Sequence, residues 1–110
     1  MNRVIKFRGQ DAKGFWHYGY FSKDYLGICY ITTLDGVDTS IVIESTLGQF
    51  TGLKDKNGVE IYEGDILEGV NYQDYKIFWD TSFLVWNIGP NVGRKVRVIG
   101  NIHEREVPNE

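Results

Sequence analysis

Short runs of aromatic and β-branched residues repeat along the whole chain, each cut off by glycine or by Asp and Asn turn chemistry. None is long or periodic enough for a major helix. Aromatic residues make up 15% of the 110 positions and glycine occupies 13 of them. Aromatic side chains suit pleated, half-buried surfaces, and glycine supplies the positive φ that tight turns demand. The pattern therefore predicts a mainly β protein, a partly open barrel or sandwich of about six to eight short strands. At most one short helical turn is expected. The length suits a single domain with one core.

Arg3-Val4-Ile5-Lys6-Phe7-Arg8 alternates, which predicts a first half-buried strand with Ile5 and Phe7 on one face and Lys6 and Arg8 on the other. After turn residues at Gln10 to Gly14, the run Phe15 to Phe21 is aromatic at both parities and predicts a strand covered on both sides. Gly27 to Thr33 and Ser40 to Glu44 flank Asp35-Gly36 and are expected to pair as a hairpin. Tyr75 to Asp80 and Phe83 to Asn87 are separated by Thr81-Ser82, the spacing of a tight hairpin, with Trp79 and Trp86 near its turn. Val96 to Ile102 alternates so as to put Val96 and Val98 inward, and the polar tail Glu104 to Glu110 is expected to fray.

Between these runs, Thr51 to Ile66 strings turn signals around few apolar anchors and predicts a long ordered loop. Asn57-Gly58 carries the signature of a type I′ turn, Ile61, Tyr62 and Ile66 are available to pin the loop, and a single helical turn is allowed near Tyr62-Glu63.

The net charge of -3 creates no general field for nucleic acid or an anionic membrane. Cys29 is the only cysteine, so no intrachain disulfide forms. The alternating start does not read as a signal peptide, and no apolar stretch approaches the roughly 20 residues that cross a bilayer. A protein of the bacterial cytoplasm, not embedded in a membrane, is the expectation.

Candidate chemistry is sparse. His17, His103 and Cys29 are far apart and lack paired metal-ligand spacing, so no metal and no cofactor is expected. Glu60, Glu63, Asp65 and Glu68 form the densest acidic patch, but their spacing is not diagnostic of acid-base catalysis, and a solvated acidic face is the simpler reading. Neither a phosphate-binding loop nor a dinucleotide fingerprint is present. Single-stranded nucleic acid finds some support, because Trp16, Tyr18 and Tyr20 can share one strand face, with cations from Lys6 and Arg8 or from Arg94, Lys95 and Arg97. The negative charge argues against it, as does the frequency with which rings serve as core or interface.

The segment from Phe50 through Thr51-Gly52-Leu53-Lys54-Asp55-Lys56-Asn57-Gly58-Val59-Glu60-Ile61-Tyr62-Glu63-Gly64-Asp65-Ile66 to Leu67 resembles the central signature of the YopX family of phage and prophage proteins. Ile5-Lys6-Phe7-Arg8 and Val98 to Glu104 resemble the family's two ends, in the right order. The resemblance implies a mostly β fold and a phage or prophage origin, and it implies no reaction and no catalytic residues. Thr51, Gly52, Leu53, Asp55, Asn57, Gly58, Tyr62, Gly64 and Asp65 are read as structural, with turns at Lys54 to Gly58 and at Glu63-Gly64. The aromatic excess and the lack of a catalytic constellation point to a non-catalytic module that self-associates or binds a phage or host protein.

Overall fold

The computed structural model describes residues 5–68, 74–82, 85–89 and 95–103, so Arg3, Val4, Arg94 and the tail from Glu104 lie outside the described residues. Contacts along the chain divide it into two compact units, residues 1–50 and 51–110.

The first unit is an antiparallel meander of β1 (Phe7–Gln10), β2 (Trp16–Lys23), β3 (Cys29–Thr32) and β4 (Thr39–Val42), lying in the order β4-β3-β2-β1. The start of β5 (Gly48–Lys54) adds to β1, with Arg8 opposite Gly48. One sheet face is the core: Cys29, Ile31 and Val42 are buried, with Phe7 and Leu47 packed against them. The sheet coils tightly enough that a Cβ on Gly9 would lie 3.0 Å from Val42. Ile43 N–H, just past β4, donates to Gln10 O at 2.8 Å, which brings the end of the fourth strand back to the first without closing a barrel. Gly19 makes the bend possible. Its φ is +154°, and any Cβ there would sit 1.9 Å from the carbonyl oxygen of Thr32.

The second unit holds the rest of β5, β6 (Glu60–Tyr62), β7 (Asp65–Leu67), β8 (Tyr75–Lys76), β9 (Trp79–Asp80), β10 (Val85–Trp86) and β11 (Val98–Asn101). β11, β7 and β8 form one small sheet, and β9 and β10 form a hairpin. Ile61, Leu67, Ile77, Ile88 and Val96 make its core, flanked by Leu53, Tyr75, Trp86 and Val98.

The expected β class holds, and the 3-10 turn Glu44–Thr46 is the one helical element among the described residues. At Tyr62-Glu63 no helical turn forms, and Gly64, at φ 92°, makes a tight turn between β6 and β7. The described residues hold eleven strands because several consist of two or three residues, too short to stand out in a sequence. The largest correction concerns the central segment: Thr51 to Ile66 is not a long loop, since its turn residues join β5 to its neighbour β6 and then turn the chain into β7, which belongs to another sheet. Asp55 N–H donates to Val59 O and Gly58 N–H to Asp55 O, which makes a three-residue hairpin loop ending in a positive-φ glycine, not a two-residue type I′ turn.

Other boundaries shift for similar reasons. β1 begins at Phe7, and Ile5 is exposed. β2 is not covered evenly on both sides, since Tyr18 and Tyr20 are 47% and 52% exposed. The paired runs around Asp35-Gly36 form the expected hairpin, Cys29 opposite Val42 and Thr32 opposite Thr39. Trp79 pairs with Trp86 in the expected hairpin, of which Phe83 and Leu84 lie outside the described residues, and Tyr75-Lys76 breaks away to pair with β7. Val96 and Val98 do point inward, as the alternation predicts.

Candidate functional site

The outward face of the first unit brings together most of the rings and cations singled out in the sequence. Antiparallel pairing sets Arg8 opposite Tyr18 and Gln10 opposite Trp16. Because side chains alternate along a strand, Arg8, Trp16, Tyr18 and Tyr20 share one face, opposite the core face of Phe7 and Phe21. The register continues this face through Tyr30 on β3 and Ile41 on β4.

Arg8 does not offer its charge to solvent. It is 5% exposed, and the Trp16 ring lies over its guanidinium at 4.5 Å. A cation against the face of an indole is held by the ring quadrupole, which offsets part of its lost hydration. Lys6 rests its ammonium 5.0 Å from the Phe50 ring centroid. Arg97 belongs to the second unit, where its guanidinium donates to both oxygens of Glu68 at 2.9 and 3.3 Å. That pairing holds the Glu68 carboxyl below its ordinary value and raises Arg97. Tyr18 and Tyr20 remain as wide, exposed rings on a strand paired along both edges.

Turns in both units repeat one device. Asp11, Asp24 and Asp55 each start an Asp-x-x-Gly turn in which the glycine N–H donates to the aspartate carbonyl. In each, Oδ1 accepts the N–H groups two and four residues on: Lys13 and Phe15, Leu26 and Ile28, Asn57 and Val59. The second oxygen then reaches further. Asp11 Oδ2 meets His17 Nε2 at 2.8 Å, and Asp24 Oδ2 accepts the Tyr30 hydroxyl at 2.8 Å. His17 lowers the Asp11 carboxyl, and Tyr30, followed by Ile28 N–H, lowers Asp24. The Tyr30 hydroxyl is raised in return. The recurrence of Asp-x-x-Gly before an apolar residue is visible in the sequence and would have located all three turns.

In the second unit the motif residues act as fasteners. Thr51 Oγ1 donates to Ile61 O at 2.8 Å and accepts Leu53 N–H, while Gly52 supplies a φ of 89° and Leu53 packs on the core. Tyr62 N–H donates to Asp65 Oδ2 at 2.7 Å, and the Tyr62 hydroxyl donates to Glu60. Gly64 N–H donates to Ile77 O, and Gly64 O accepts Ile102 N–H. Glu60, Glu63 and Glu68 of the acidic patch stay partly exposed, and Asp65 does not. Asp65 is 1% exposed because its carboxylate is needed to hold the β6–β7 turn, and Glu68 is occupied by Arg97.

Of the candidate ligands, Cys29 is buried in the core, His17 is bonded to Asp11, and His103 N–H donates to Asn101 Oδ1. No group of three or more His, Cys, Asp and Glu side chains converges among the described residues. No helix there is long and apolar enough to cross a membrane.

The chain matches no curated protein. The family model described as YopX protein matches residues 6–107, which takes in β1, the aromatic strand, the Asp-turn motif and β11, and the chain belongs to the YopX family.

Proposed function

We propose that this chain is a non-catalytic binding module of a phage or prophage, working in the bacterial cytoplasm by contacting a phage or host protein through the outward face of β2. The observation that carries this reading is the half exposure of Tyr18 and Tyr20 beside Trp16 on a strand paired along both edges. Tyrosines fixed by a sheet offer large contact area at small entropic cost, which is why such rings serve as interface anchors. The test is recovery of bound protein from induced host cells with the wild-type chain and with Tyr18→Ala and Tyr20→Ala. A specific partner retained by the wild type and lost with either variant is expected. A partner retained equally by both variants overturns the assignment of this face.

Single-stranded nucleic acid is the second reading, favoured by rings at alternate positions of one strand, on which bases can stack. The cations of that face support it less, with Arg8 beneath Trp16 and Lys6 against Phe50. Titration of a fluorescent oligonucleotide decides it. Binding at low salt that falls steeply as salt rises, and that weakens on Tyr18→Ala, supports this reading. No binding at low salt removes it.

A further inference from the structure

We propose that β4 pairs with β4 of a second copy of this chain, antiparallel and about a two-fold axis at Ser40. This inference adds the self-associating surface to the binding module proposed above, and it concerns a different part of the first unit.

β4 is the outer strand of the meander, with β3 as its strand partner. The direction of its backbone groups follows from two hydrogen bonds. Thr33 N–H donates to Asp38 O, so Asp38 faces β3, and Ile43 N–H donates to Gln10 O, so Ile43 faces away from β3. Alternation then turns the N–H and C=O groups of Thr39 and Ile41 outward, where no described residue meets them. Proteins protect such edges with lysine, proline, bulges or an inward charge. β4 has none of these: Thr39-Ser40-Ile41-Val42-Ile43 carries no charge and no proline, and its pairing with β3 is regular.

The register follows from the same bonds. An axis at Ile41 would pair Thr39 with Ile43, whose N–H is already given to Gln10. An axis at Thr39 would pair Ile41 with Val37, whose N–H is held by Asp35 Oδ1 at 3.0 Å. With the axis at Ser40, Thr39 of each copy meets Ile41 of the other and both outward groups of each residue are satisfied. In this register Val37 of the second copy falls opposite Ile43, where Gln10 already stands, so the shared ladder is confined to Thr39 and Ile41. Ile41, 61% exposed, lies on the face shared with Tyr20 and Tyr30, so that face runs on across the axis. Such an isologous contact is self-complementary and closes at two copies.

The test is sedimentation velocity over a micromolar concentration series, together with cross-linking. The wild type is expected to shift from monomer to dimer. Ile41→Lys, a change at an exposed side chain, is expected to remain monomeric with unchanged circular dichroism. At the axis, Ser40 of the two copies forms a non-hydrogen-bonded pair, with Cα atoms about 4.5 Å apart, within disulfide reach. Ser40→Cys is therefore expected to give a disulfide-linked dimer under mild oxidation, whereas Thr39→Cys, which faces Ile41, is not; the native Cys29 is buried and adds no background. A wild type that stays monomeric throughout, a dimer that survives Ile41→Lys, or cross-linking of Thr39→Cys in place of Ser40→Cys each overturns the proposal. These readouts use the purified chain alone, so they are independent of whether Tyr18 and Tyr20 bind a partner.

Discussion

Asp55 Oδ2 accepts the backbone N–H of Val98 at 2.9 Å, so one side chain in the β5–β6 turn fastens a strand 43 residues further on. The same carboxylate accepts Asn57 and Val59 N–H with its other oxygen, and the residue is only 5% exposed. Three donors thus depend on one carboxylate. Asp55→Ala is expected to cost about 3 kcal/mol or more, because a buried donor left unpaired costs roughly 1–3 kcal/mol. The measurement is the urea midpoint, with Asp80→Ala, whose hydrogen bond from Ser82 N–H is exposed, as the comparison.

Acid should weaken the fold through this residue. Burial alone pushes the Asp55 carboxyl up, but the N–H groups of Val98, Val59 and Asn57 together hold it below its ordinary value of 3.8. A carboxyl depressed in the folded state binds fewer protons there than in the unfolded chain, so its contribution is complete above its unfolded pKa and is lost as pH falls through the folded one. The urea midpoint is therefore expected to be level near neutrality and to drop below the ordinary carboxylate range. Asp55→Asn should start lower and fall less on acidification. An equal fall in both proteins assigns the acid sensitivity to other carboxylates.

Gly19 and Gly14 both have positive φ but should answer differently to alanine. At Gly14 a Cβ meets nothing within 4 Å, so the cost is the conformational one, about 1–2 kcal/mol. At Gly19 the Cβ meets the Thr32 carbonyl at 1.9 Å, and β2 and β3 must separate. Gly19→Ala is expected to cost about 3 kcal/mol or more. Chemical denaturation of the two variants compares them directly.

The rings of the outward face divide into support and contact. Trp16 covers the guanidinium of buried Arg8, so Trp16→Ala removes packing and the cation–π contact and should cost about 2 kcal/mol. Tyr20 is half exposed, and Tyr20→Ala should change stability by about 0.5 kcal/mol or less. Urea midpoints of the two variants test this, and equal losses would count against a contact role for Tyr20.

The sequence alone determined the features that depend on neighbours along the chain. Aromatic and β-branched runs specified strands, and Asp35-Gly36 specified the β3–β4 hairpin, because the residues that turn the chain stand between the strands they join. The family resemblance also rested on a contiguous motif. Tertiary structure alone decided which polar groups are buried and which apolar ones are not. Asp65 reads as one of several surface acids until Tyr62 N–H is folded onto it, and the buried state of Asp55 needs Val98 from the far end of the chain. Arg8 alternates like a solvated cation, yet its strand pairing sets it under Trp16. Tyr18 and Tyr20 lie in an apolar run that suggests cover on both faces, yet both are about half exposed. Local propensity prescribes a conformation, whereas burial and hydrogen-bond partnership depend on segments distant in sequence, and only the folded chain brings them together.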